Sequence, residues 1–253
     1  MSLLDDLGFR PARIGIAVVL ILLAATAFNT WRNARMSALA QSVMGTKADI
    51  SAVTRLASYR GQQSAELLGV VVVGSQNQGN RLAALQALVD RKDVARISRL
   101  SELMLPTETL PLRQALANAI YQVGCSSECL RNILYFEERM WRGDRPSEEV
   151  SANPPSQRSE KESELQTALD EILRKNKAAL GPVLEKFYGL TPPFPNPFAV
   201  ETVTRLGITE ACPTLMRTYL TVSENVKASP EYKNVVEAVD KLGCQGRPIP
   251  NRP

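Results

Sequence analysis

Two stretches of this chain hold side chains whose types and spacing could do chemistry. The first is Cys125-Ser-Ser-Glu-Cys129, which sets two thiols within five residues of each other. Such a pair could exchange with the disulfides of another protein. Efficient exchange, however, uses a Cys-x-x-Cys spacing and a cationic setting that favours the thiolate, and Glu128 works against that setting. The second is the acidic pair Glu137 and Glu138. Adjacent residues on a helix diverge by about 100°, so these carboxylates do not converge on one substrate and read as a solvated face. The chain contains no histidine. That excludes Ser-His-Asp and Cys-His nucleophiles, histidine-ligated metals and a histidine general base. No catalytic residue, metal ligand or cofactor site emerges. The expectation is a non-enzymatic protein, with a thiol–disulfide redox protein using Cys125 and Cys129 as the alternative.

The elements that would position these residues are helices. Across residues 80–141, Leu82, Leu85, Leu88 and Val89 share one helical face, with Arg81, Gln86 and Asp90 off it. Asp93 can cap the next helix, whose apolar positions are Val94, Ile97, Leu100, Leu103 and Met104. Pro106 and Thr107 stop that helix. A third carries Leu112, Leu116, Ala119, Ile120 and Val123 and ends at Gly124, a residue able to take the left-handed C-terminal conformation. A fourth uses Leu130, Ile133, Leu134 and Trp141. Short connections between such helices favour antiparallel neighbours.

The chain also repeats itself. Ala199-Val-Glu-Thr-Val-Thr-Arg-Leu-Gly207 recurs 36 residues later as Val235-Val-Glu-Ala-Val-Asp-Lys-Leu-Gly243, and Asn118-Ala-Ile-Tyr-Gln-Val-Gly124 fits the same frame counted back from its glycine. A helix with one apolar stripe cannot bury it alone, and stacked neighbours supply the missing surface. Leu112-Arg-Gln-Ala-Leu-Ala-Asn-Ala-Ile-Tyr-Gln-Val-Gly124 resembles the second helix of a HEAT-like repeat, and Arg81-Leu-Ala-Ala-Leu-Gln-Ala-Leu88 is a second partial match. The resemblance covers residues 80–141 and, loosely, 198–243; the segment between departs from it. It implies an irregular all-α solenoid of antiparallel helix pairs offering an interaction surface, in most members with no chemistry of its own.

The four cysteines sit at equivalent places in this frame. Cys125 and Cys244 directly follow a terminal glycine, while Cys129 and Cys212 each lie five residues after one. The end of one helix and the start of its antiparallel neighbour share an edge of the stack, which favours Cys125–Cys129 and Cys212–Cys244 among three possible connectivities. Paired cysteines would put the body outside the cytoplasm. Four reduced, half-buried cysteines are the other reading.

After a short tail at residues 1–13 comes an uncharged run, bounded by Ile14 and Phe28: Ile-Gly-Ile-Ala-Val-Val-Leu-Ile-Leu-Leu-Ala-Ala-Thr-Ala-Phe. Asn29, Thr30 and an interfacial Trp31 can lengthen it toward a bilayer crossing, giving a signal-anchor at residues 14–31 that contacts lipid. Ala25-Thr-Ala27 also fits a cleavage site, so secretion after cleavage near Ala27 stays open. The continuation at residues 31–44 favours retention. The expectation is a single-pass protein with its N-terminus cytoplasmic and its body extracytoplasmic (periplasmic in a bacterium).

Between residues 32 and 141 the reading is HEAT-like repeats throughout. Residues 37–59 read as one helix with Ile50, Val53, Leu56 and Ala57 on a face. Residues 67–73 form a valine-rich helix, since no second strand lies nearby to pair with it, and residues 74–80 a polar loop. Residues 142–158 form an exposed loop containing Arg142-Gly-Asp144, a tripeptide given very low weight as an adhesion signal. Further helical repeats fill 159–244. Ser159 with Glu162 makes a capping box, Leu165, Leu169, Ile172 and Leu173 point inward, and a helical piece starts at Pro182 with Val183, Leu184 and Phe187. Residues 191–198 are an extended spacer with Phe194 and Phe198 as packing pegs. Ser229-Pro230 starts a helix, and 245–253 is a frayed tail.

Hydrophobic residues at 44%, with 22% charged and 6% aromatic, suit helix-on-helix stacking. A net charge of +4, evenly spread, argues against nucleic acid. The partner expected is another protein of the membrane or envelope, with contacts at Tyr135, Glu138, Trp141 and Arg142 on or just past one helix. Trp141 could equally plug the end of the core.

Overall fold

A computed structural model describes residues 11–104, 108–142, 160–186, 194–223 and 226–245, with the side chains at 11–18, 137–142 and 160–162 outside that description. Several expectations therefore fall outside the described residues: the stop at Pro106 and Thr107, the loop with Gly143 and Asp144, the Ser159–Glu162 capping box, Phe187, the start of the 191–198 spacer and the end of the tail. Twelve α-helices and no β-strand occur among the described residues. The chain divides, inside α4 (Gln78–Asp90), into two compact units, Met1–Ala84 and Leu85–Pro253.

In the first unit α1 (Pro11–Ser42) is a single helix of 32 residues, α2 (Ile50–Ser58) folds back against it, and α3 (Gln62–Gly74) packs on both. The α1 helix changes character along its length. Met36 and Ala40 are buried, whereas Val19, Leu20, Ile21, Leu22 and Leu23 are each more than half exposed. Among the described residues no helix is long and apolar enough to cross a membrane. The first third of the uncharged run, residues 14–18, lies outside the described side chains.

Residues 37–59 form two helices rather than one. The chain breaks at residues 43–49, where Asp49 caps α2 by accepting a hydrogen bond from Ala52 N–H at 2.9 Å. That bond, followed by the one from the Ser51 hydroxyl, holds the Asp49 carboxyl below its ordinary range. The cap is complete above the ordinary aspartate pKa and is lost as pH falls through the lowered one.

Residues 74–80 are likewise not a loop throughout, because α4 begins at Gln78 and Asn80 is fully buried. Its amide carbonyl accepts from Asp49 N–H (2.9 Å), and its NH₂ donates to the carbonyls of Val43 (3.1 Å) and Lys47 (3.0 Å). The Ser75 hydroxyl also donates to Val43, Gln76 N–H to the Met44 carbonyl, and the Asn77 NH₂ to Thr46. The residues before and at the start of α4 thus satisfy the backbone of the α1–α2 turn. The valine-rich segment is helical in α3, with Leu68, Val71 and Val72 buried and Val70 and Val73 outside.

The second unit contains α5 (Val94–Leu100), extended by a 3-10 turn at Ser101–Met104, then α6 (Leu110–Val123), α7 (Ser127–Arg142), α8 (Glu160–Lys175), α9 (Lys177–Lys186), α10 (Pro197–Arg205), α11 (Cys212–Thr221) and α12 (Pro230–Lys241). Among the described residues its well-packed helices are one or two apart in the chain, apart from α7 with α10. The apolar stripes lie inward: Ile97, Met104, Leu112, Leu116, Ile120, Leu130, Ile133, Leu134, Leu165, Leu169, Ile172 and Leu173 are all buried. Val94, in the first turn of α5, is exposed instead. The expected start at Pro182 is displaced, since α9 begins at Lys177 and holds Pro182 inside. Next to it the Gly181 carbonyl accepts from the Thr214 hydroxyl (3.0 Å), and a methyl group at Gly181 would approach the Glu210 carbonyl oxygen to 3.2 Å. Close backbone approach, rather than a turn, explains that glycine.

The repeated glycines close their helices by one device. Ile208 N–H bonds to the Val203 carbonyl and Gly207 N–H to that of Thr204; Cys244 N–H bonds to Val239 and Gly243 N–H to Asp240. With φ of 66° and 62° at the two glycines, both are Schellman motifs. A third copy ends α4, where Asp93 N–H bonds to Leu88 and Lys92 N–H to Val89, but Lys92 holds the left-handed position at φ 53°. An L-residue there is strained by about 1 kcal/mol. Lys92→Gly is expected to raise stability by roughly 0.5–1 kcal/mol in urea unfolding; an unchanged or lowered midpoint would contradict this reading of the turn. Gly124 departs from the set. Its φ of 116° and ψ of 172° send the chain straight into the next loop.

Candidate interaction surface

Helix α7 is positioned from its first turn. The Ser126 hydroxyl accepts from Cys129 N–H (3.2 Å), Ser126 N–H donates to the Ser98 hydroxyl (3.1 Å), and the Asn132 NH₂ donates to the Ser101 hydroxyl (3.0 Å). These bonds fasten α7 to α5 and its 3-10 extension. Leu130, Ile133, Leu134 and Phe136 then fill the core, and Tyr135 emerges 43% exposed. Tyr135 borders an open groove of about 270 Å³, shared with Ser101, Glu102, Met104, Asn132 and Phe136. The groove sets apolar Met104 and Phe136 beside the Tyr135 ring and the polar side chains of Ser101, Glu102 and Asn132. Of the other expected contacts, Glu138, Trp141 and Arg142 have side chains outside the described residues.

A second groove of about 430 Å³ lies between α10 and α12, the two copies of the repeated sequence, and includes Val200, Glu201, Thr204, Arg205, Glu237 and Lys241. Its wall is braced from α8, where the Asp170 carboxylate accepts from Arg205 Nη1 and Nη2 at 2.7 and 2.8 Å. Glu237 and Lys241 pair with each other across one turn at 2.5 Å. The groove therefore carries charges of both signs, with Arg205, Glu237 and Lys241 each held in an ion pair.

The cysteines stand at disulfide distance in two pairs, Cys125 with Cys129 and Cys212 with Cys244, with Cα separations of 5.5 and 5.3 Å. Cys212 opens α11, and Cys244 is the residue after the terminal glycine of α12, so the second bridge ties those helices at one edge. Cys129, Cys212 and Cys244 are buried. Burial of Cys129 removes one sulfur of the first pair from the surface that an exchanging thiol would have to reach. Among the described residues no three Cys, Asp or Glu side chains gather as metal ligands.

Sequence reasoning missed Asn80, Lys92 and the groove beside Tyr135. The serines at 98 and 101, three apart and on one face of a capped helix, were the available sign of polar docking beneath α7. Fold and surface together define a disulfide-bearing all-helical chain with open grooves between packed helices. No family model, no curated protein and no solved structure matches it.

Proposed function

We propose that this chain is a non-enzymatic, membrane-tethered scaffold whose HEAT-like helical body docks a partner protein on the extracytoplasmic side. The observation that carries the reading is the divided character of α1. Its later turns bury Met36 and Ala40 against the helices that follow, while Val19 to Leu23 present five large aliphatic side chains outward. Each such side chain gains about 1.5–3 kcal/mol on leaving water, and a bilayer is the apolar medium that takes them all at once. The uncharged run continued to Trp31 is 18 residues, a helix of about 27 Å against a hydrocarbon core of about 30 Å. Two cysteine pairs at disulfide distance are compatible with an extracytoplasmic or secreted body. Packing of helices one or two apart in the chain supports the repeat reading.

Tethering concentrates the docking surface near the membrane. The test is affinity isolation from detergent-solubilised native membranes under non-reducing conditions, using the full chain and its Tyr135→Ala variant. One reproducible protein, recovered at least several-fold less with the variant, is expected. No reproducible partner, together with extraction of the chain from membranes by alkaline carbonate, would remove both halves of the proposal.

A further inference from the structure

The first unit has two ends. One is the polar staple of residues 43–49 with 75–80; the other is the end from which the exposed apolar part of α1 projects. At that second end the Arg32 guanidinium donates to the Arg60 carbonyl and lies 5.9 Å from the Tyr59 ring, joining α1 to the α2–α3 turn. Arg35 stands 5.4 Å from the Trp31 ring, and Trp31 is 6.1 Å from Phe28. Arg55 occupies the last turn of α2; Asp49, six residues before it, caps the other end of that helix and feels the Arg55 charge, and Glu66 on α3 is the acidic residue nearest Arg60 in sequence. Trp31, Arg35, Arg55 and Arg60 are exposed.

We propose that this collar docks the first unit onto anionic phospholipid headgroups, a reading that rests on the anchor above and names the lipid it meets. A helix emerging from hydrocarbon places the residues one to two turns beyond Phe28 at headgroup depth, about 1.5 Å per residue. Tryptophan is favoured at that depth, and arginine forks bind phosphate in two-pronged geometry. Four arginines at one end gather positive charge that anionic headgroups in the leaflet facing the body attract by Coulomb forces, within the screening length of the salt. The contact also sets posture: with Arg32 bonded to the α2–α3 turn, the helical hairpin is held upright on the membrane.

The experiment uses the full chain in vesicles of phosphatidylcholine alone and of an equal mixture with phosphatidylglycerol. It reads flotation, together with amide hydrogen exchange across residues 55–63. The chain is expected to float with both vesicles, and exchange in the α2–α3 turn is expected to slow only in the anionic ones, reversibly in high salt. Arg60→Gln and Arg35→Gln, which leave the Arg32 bond in place, are each expected to lose roughly five-fold of that protection. Flotation with both vesicles but identical exchange overturns the collar and leaves the anchor standing. Failure to float with either removes the anchor, and the collar with it.

Discussion

Replacing Cys212 and Cys244 together by alanine is expected to lower the thermal unfolding midpoint of the second unit by roughly 10 °C. The bridge closes a loop of sequence separation 32, and a cross-link of that span restricts the unfolded chain by about 3.5 kcal/mol. For a domain of 150–250 residues each kcal/mol moves the midpoint by roughly 2–4 °C. Alanine is the right replacement because both sulfurs are buried, and a serine hydroxyl there would add the cost of an unsatisfied polar group. The other bridge supplies an internal control. Cys125–Cys129 has a separation of 4, for which the same relation gives about 2 kcal/mol, and its two ends already lie one turn apart at the start of α7. Differential scanning calorimetry of both double variants under non-reducing conditions should therefore rank the long bridge first. Equal shifts, or a larger one from the short bridge, would mean that loop closure is not how these cysteines stabilise the fold.

What the sequence revealed of this architecture was its local, periodic part. Apolar stripes at helical spacing placed most of the core of α6, α7 and α8, and cap chemistry placed Asp93 before α5 and Ser229 before α12, where each accepts a bond from a backbone N–H. The glycine frame at 207 and 243 marks true Schellman motifs, because only a residue without a Cβ takes that φ at no cost. The same logic failed at Lys92, which does a glycine's work, and at Gly124, which turns the chain a different way. Val94 and Ile50 were assigned to apolar faces, yet both are exposed in the first turns of their helices, where the stripe has not yet met a neighbour. Of the proposed contact residues only Tyr135 lies among the described side chains. The groove beside it depends on serine and asparagine bonds between helices roughly 30 residues apart, and such pairings leave no periodic trace.

Asn80 is the clearest case, and its replacement has the second large expected effect. Asn80→Ala is expected to destabilise the first unit by about 2–4 kcal/mol. Three of the amide's hydrogen bonds end there, all to backbone more than 30 residues away. The Val43 carbonyl keeps the Ser75 hydroxyl as a partner, but Asp49 N–H and the Lys47 carbonyl lose the bond drawn from Asn80. Asn80→Asp separates the two roles of the side chain. A carboxylate still accepts from Asp49 N–H, yet it faces the Val43 and Lys47 carbonyls with negative charge and nothing to donate. Protonation restores one donor, so folding raises the pKa of the new group; stability is therefore recovered as pH falls and lost as pH rises through that raised value. Amide exchange at residues 43–49 in the full chain reads the effect locally, with unfolding in urea as the global measure. Alanine should speed exchange there far more than in α3, and aspartate should do so at neutral pH but less under mildly acidic conditions. An Asn80→Ala protein with unchanged exchange in that turn would show that water replaces the amide without loss, and that the α1–α2 turn holds itself.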